Sequence, residues 1–206
     1  MKYISIFGTY CIELPVFLAA ILNKMQTETI IIDYSGELIL AYAEPNEKGK
    51  YPEEIGSGLT KIYSASKAKS LKTKADFCID YYGTTFCEIK NTDLLILCSD
   101  MYAFNIKKTR NVICNNENIE TYLFINNYIN SHKYGTKYIK TISNRPKAKI
   151  LCKEYNSGDA MLIHNIGYEQ LHLNKLSSNY KNVLLEIITS ITGNYLKKKE
   201  VKNIFK

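Results

Sequence analysis

The chain has 206 residues, 46% of them hydrophobic, and carries 27 basic against 20 acidic side chains for a net charge of +7. That length encloses one sizeable core, and its most apolar segment, Leu14 to Leu22, stops at Asn23 and Lys24, short of the ~20 residues of a membrane-spanning helix. The apolar run near Met1 is too short for a signal-peptide core and has no small-residue cleavage site after it, so a cytoplasmic protein is expected.

Six cysteines, Cys11, Cys78, Cys87, Cys98, Cys114 and Cys152, are widely spaced with no CxxC pair. They read as reduced core residues, not as zinc ligands or disulfides. His132, His164 and His172 are scattered, so no metal site is expected.

In chain order, Tyr3 to Phe7 reads as a buried strand, Gly8 to Glu13 as a turn and Leu14 to Met25 as a helix, with Pro15 acceptable in its first turn. Thr29 to Ile32 is a second buried strand ending at Asp33, followed by a turn over Tyr34-Ser35-Gly36-Glu37. The stretch from Glu44 to Gly58 holds Pro45, Pro52 and three glycines and reads as an exposed loop and candidate contact surface. Lys61 to Lys74 contains five lysines and no acid, which suggests solvated surface.

Phe77 to Ile79, ending at Asp80, and Leu94 to Cys98, ending near Ser99 and Asp100, are further strands. Tyr122 to Ile125 is another, ending in Asn126 and Asn127, and weaker strands are expected at Tyr138 to Ile142 and Met161 to Ile163. A helix is predicted over Tyr180 to Thr192, where Val183, Leu184, Ile187, Ile188 and Ile191 share one face and Gly193 is a natural stop. The alternation of strands and helices predicts an α/β fold, a mostly parallel central sheet with helices on both faces. Residues 1–195 form the single domain and 196–206 a basic tail.

Strand ends carrying Gly8, Asp33, Asp80 and Asn126 would gather at one edge of such a sheet, where open α/β folds bind ligands. In this order the chain resembles the MinD/ParA branch of P-loop ATPases. Ile4-Ser5-Ile6-Phe7 looks like that family's first strand and Leu18-Ala19-Ala20 like the Leu-Ala step of the helix behind its phosphate loop. The stretch between them, from Gly8 to Phe17, matches the family's loop in length, yet Tyr10 falls where the resemblance places the signature lysine. Pro15 falls on the phosphate-gripping lysine and Val16 on the magnesium-holding hydroxyl. Ile30-Ile31-Ile32-Asp33 resembles the second strand with its acidic end, and Phe77-Cys78-Ile79-Asp80 the Walker B strand.

A working phosphate loop needs small residues whose N–H groups converge on the anion, a cation beside it and a hydroxyl for the metal. Here Gly8 remains, Glu13 adds a negative charge near the expected phosphates, and Pro15 lacks a donor. ATP hydrolysis is therefore not expected. The resemblance implies a degenerate nucleotide site formed by Gly8, Thr9, Tyr10, Asp33, Asp80 and Asn126, without catalytic residues or bound metal.

The resulting expectation is a non-catalytic scaffold or localisation protein, similar to the TadZ/CpaE-like members that serve pilus assembly, acting through a homodimer or a protein partner. Two alternatives follow from other features. One is a switch that binds ATP and magnesium between Asp33 and Asp80. The other is a nucleic-acid-binding protein using Lys61 to Lys74 with Tyr63 as a stacking residue, although nucleic acid is the less expected partner because the patch lacks arginine. In the tail, Leu196, Val201, Ile204 and Phe205 alternate with lysines. That pattern allows weak contact with the inner membrane surface, but a frayed, solvated terminus is the preferred reading.

Overall fold

The computed structural model describes residues 1–8, 11–35, 54–56, 61–68, 75–85, 88–102, 105, 112–114, 118–129, 139, 147–164, 172–193 and 198–206. Among the described residues ten strands run in chain order: β1 (Lys2–Gly8), β2 (Thr29–Asp33), β3 (Glu54–Gly56), β4 (Lys61–Ser64), β5 (Phe77–Gly83), β6 (Glu88–Ile89), β7 (Leu94–Ser99), β8 (Ile113–Cys114), β9 (Glu120–Tyr128) and β10 (Lys149–Glu154). The helices are α1 (Glu13–Lys24), α2 (Ser157–His164), α3 (Ser178–Thr192) and α4 (Lys198–Ile204).

The main sheet has the order β10-β9-β7-β1-β5-β2-β4-β3. Every pairing in it is parallel except that of β3 with β4, which leaves an antiparallel strand at one edge. Buried parallel strands read as continuous apolar runs because both faces are covered, and β2 (Thr-Ile-Ile-Ile-Asp) and β7 (Leu-Leu-Ile-Leu-Cys-Ser) are buried along their whole length. On one face Ile4, Ile6, Ile31, Ile79, Ile96 and Phe124 meet α1 and α3 in the larger core. On the other, Phe7, Leu95, Leu97, Leu123 and Ile125 pack with Ile89, Val112 and the helical residue Ile139.

Helix α1 is buried on nearly every side from Glu13 to Leu22 because it lies between the sheet and α3. Phe17 meets the Tyr180 ring edge-on at 5.6 Å. Pro15 is tolerated because the first four N–H groups of a helix have no partner within it. Helix α3 begins at a Ser177 cap, whose Oγ accepts the Tyr180 N–H at 3.2 Å, and stops at Gly193 with φ +70°.

Several expectations are corrected. Strand β5 runs on through Tyr81 and Tyr82, so Asp80 lies inside the strand and not at its end. Strand β9 likewise contains Asn126 and Asn127. Met161 to Ile163 lies in α2, which Asn156 caps by accepting the Asp159 N–H at 3.0 Å, so local cap chemistry overrides a short apolar run. Ile139 is helical and not extended, while the rest of Tyr138 to Ile142 lies outside the described residues.

Glu54 to Gly56, within the expected loop, is strand β3, and Lys61 to Ser64, within the lysine-rich stretch, is strand β4. The tail is not frayed there. Ile204 and Phe205 are buried in the larger core and Val201 packs against it, so the apolar side needed for membrane contact is turned inward.

Candidate functional site

The parallel strands direct their carboxyl ends to one edge, and α1 starts there. Gly8 ends β1 at φ +139°, and a Cβ on it would lie 1.9 Å from the carbonyl oxygen of Cys98 on neighbouring β7. Only a residue without a side chain permits that approach. Cys11, fully buried, follows at the turn into α1, and the backbone N–H of Leu14 returns to the Cys11 carbonyl at 3.1 Å. Thr9 and Tyr10, both expected in the site, lie outside the described residues.

At the head of α1 the structure assembles a charged group from three elements. Glu13 is the first residue of α1 and 3% exposed, while Lys153, on β10, is 2% exposed. Lys153 Nζ lies 3.8 Å from Glu13 Oε1 and donates to Asn126 Oδ1, from β9, at 2.8 Å. Asn126 Nδ2 in turn donates to Glu13 Oε1 at 3.4 Å. Lys153 also stands 4.8 Å above the Tyr180 ring, a cation–π contact.

The electrostatics follow from burial. Desolvation raises the Glu13 carboxyl above its ordinary value, opposed by the charge of Lys153 and by hydrogen bonds from its own backbone N–H, Asn126 and Lys153. Desolvation lowers Lys153, opposed by Glu13 and Asp159. Glu13 also complements the positive end of the α1 dipole. Burial likewise lifts the hydroxyls of Tyr81 and Tyr180 and the thiol of Cys98, which sits against Cys11.

The two aspartates do not meet. Side chains alternate across a strand: Asp33 shares a face with Ile31, in the larger core, whereas Asp80 shares the opposite face with Cys78. Asp33 accepts the Ser35 N–H at 2.8 Å, which closes the turn after β2, and Asp80 accepts the Cys78 thiol at 3.4 Å. One magnesium ion cannot be held jointly by side chains on opposite faces of a sheet. Among the described residues no group of three or more His, Cys, Asp or Glu is placed to hold a metal ion.

Of the expected site residues, Gly8 and Asn126 therefore converge at the head of α1, and Asp80 is directed elsewhere. Asn126 bridges the ion pair. Tyr63 is 5% exposed within β4, so it offers no face to a nucleic-acid base. Val16, where the resemblance would put a magnesium hydroxyl, is 1% exposed in the core. Lys153 was not legible from the sequence. Its signal was the two-residue period that sets it on the face of buried Leu151, in a strand whose exposed charged ends, Lys149 and Glu154, mask its character.

No protein-family model and no curated protein matches the sequence. The structure is similar to a chain of the MinC:MinD cell division protein complex of Aquifex aeolicus, with a TM-score of 0.65 at 11% identity, covering 96% of this chain and 98% of the other. It is similar to a plasmid partition protein from Borrelia burgdorferi, with a TM-score of 0.58 at 13% identity over 92% and 99% of the two chains. It also matches a Cyanothece McdA–ATP complex at a TM-score of 0.60 and 9% identity, over 96% and 99%. With a seven-stranded parallel sheet carrying helices and a loop-to-helix junction at its carboxyl edge, the chain has the fold of the MinD/ParA P-loop ATPases.

Proposed function

We propose that this protein is a non-catalytic scaffold or positioning protein, which docks a protein partner or a second copy of itself at the carboxyl edge of the sheet. The observation that carries this reading is the apolar rim of that edge. Ile12 before α1, Tyr102 after β7, Ile129 after β9 and Tyr155 after β10, each past the carboxyl end of a parallel strand, are all exposed. Large apolar side chains gathered on one edge mark an interaction surface more than scattered ones do, and tyrosine is enriched at the cores of interfaces.

Two further features support the non-catalytic part. The resemblance puts Pro15 and Val16 at the phosphate lysine and the metal hydroxyl, and Lys153, beside the head of α1, is already engaged by Glu13 and Asn126. The solved structures of similar fold include a cell division complex and a plasmid partition protein, which supports positioning through partners. A role at a pilus or secretion assembly, as in TadZ/CpaE-like proteins, belongs to the same proposal.

Calorimetric titration with ATP, ADP and GTP, with and without magnesium, tests the first half. No heat of binding and no gain in thermal stability is expected, and saturable binding would overturn it. Sedimentation of the native chain beside Tyr155→Asp and Ile129→Asp tests the second. A dimer, or a complex with a captured partner, that both variants weaken is expected; a native chain that is monomeric at high concentration, with partner capture unchanged in the variants, would refute docking at this edge.

A further inference from the structure

A helix amino terminus attracts anions because its first N–H groups are unpaired and its dipole is positive there. At α1 that position is taken from within. No side-chain cap serves this helix at Ile12, and Glu13, its first residue, turns its carboxyl group back to its own N–H and toward Asn126 and Lys153. Lys153 comes from β10, on a different segment from the loop whose cation position holds Pro15.

A second observation points the same way. The Tyr180 hydroxyl is fully buried and makes no hydrogen bond among the described residues. The ring of Tyr180 lies 4.8 Å from Lys153 Nζ, which places it beside the pair. A buried donor without an acceptor costs free energy unless something uses it, and an anion with more oxygens than a carboxylate has an acceptor to spare.

We propose that Glu13 is a built-in anion standing where this fold would receive a phosphate group, with Lys153 as its relocated cation and Asn126 as the bridge between them. The junction is therefore held in one state without a ligand, and removing the Glu13 carboxylate opens a site for inorganic phosphate lined by Lys153, Asn126 and Tyr180. This rests on the reading of the protein as one that works without nucleotide.

Inorganic phosphate is the probe and thermal unfolding of the full chain the readout, with potassium chloride of equal ionic strength as control. Glu13→Ala unfolds at lower temperature than the native chain and regains at least about 3 °C in saturable fashion as phosphate rises to about 10 mM. The native chain and Glu13→Ala/Lys153→Met show no such gain. If Glu13→Ala is unfolded in chloride, recovery of the folded signal in phosphate alone is the supporting result. Absence of any phosphate-specific response in Glu13→Ala overturns the proposal, as does an equal response in the double variant.

A coupling measurement on Glu13→Gln, Lys153→Met and their combination gives an independent check. Each single change costs more than the two together if the pair is a unit, and additive losses refute it. Nucleotide binding by the native chain would sink the nucleotide-independent reading itself; failure of phosphate rescue in a chain that ignores nucleotide sinks only this inference.

Discussion

The backbone of Cys98 occupies the space that a side chain on Gly8 would need, 1.9 Å from the Cβ position to the carbonyl oxygen. Two independent constraints thus act on one residue, since φ +139° is also closed to other residues. Gly8→Ala is expected to destabilise the fold by about 2–5 kcal/mol, the sum of backbone strain and forced separation of β1 from β7. Denaturant unfolding checks it, and a loss under about 1 kcal/mol would show that the strand ends part easily.

Lys153→Met leaves Glu13 buried without its cation. A broken buried pair costs about 3–5 kcal/mol, whereas replacing both partners with uncharged groups is often close to neutral. Chemical unfolding should therefore find Glu13→Gln/Lys153→Met more stable than Lys153→Met alone.

The same pair sets a pH dependence with a definite sign. The folded chain holds the Glu13 proton above the ordinary value of 4.5, because burial raises that group. Between 4.5 and its higher native value the folded state binds more protons than the unfolded state, so this contribution is complete below 4.5 and is lost as pH rises through the native value. The stability of the native chain relative to Glu13→Gln should fall with rising pH over that window, by at most about 1.4 kcal/mol per unit. A difference that rises with pH there would contradict the direction.

Burial pushes the Cys152 thiol up to about 11, and it holds Cys98 well above the usual thiol range. The thiolate is the reactive form. Both cysteines should therefore alkylate slowly with iodoacetamide at neutral pH in the folded chain and rapidly in denaturant, as mass spectrometry of the modified peptides would show.

Asp159 ties α2 to the start of α3 by accepting from both the backbone N–H and the hydroxyl of Ser177, at 2.7 and 2.6 Å. Ser177→Ala removes the cap of α3 and one donor to a carboxylate only 1% exposed. A loss of about 1–2 kcal/mol in unfolding free energy is expected.

The elements read correctly from sequence were those whose pattern is apolar throughout or along one clear stripe. β1, α1 and β2 are near-continuous hydrophobic segments with polar ends, and α3 shows a one-sided stripe with a glycine stop. Strand β10 was missed because Lys149, Lys153 and Glu154 interrupt it, although Lys153 is on the core side and pays its desolvation through Glu13 and Asn126. The end of β5 was misplaced since Asp80 interrupts the apolar run, yet Tyr81 and Tyr82 continue the strand as aromatic residues commonly do. The residues Pro15 and Val16, at which the resemblance departs from a phosphate loop, stand in the sequence itself. The partner of Glu13 was not legible there, because Lys153 is distant in sequence and only the strand order brings it near.

The sheet order places β1 at the centre, with Ile4 opposite Ile79 on β5 and Leu94 on β7. The first strand of the chain therefore has no neighbour to pair with until two much later segments have been made and brought back to it. Non-local pairing of this kind slows folding, and the most apolar part of the molecule, β1 with α1, waits longest for its cover. Newly synthesised chains face their greatest hazard of self-association during that wait.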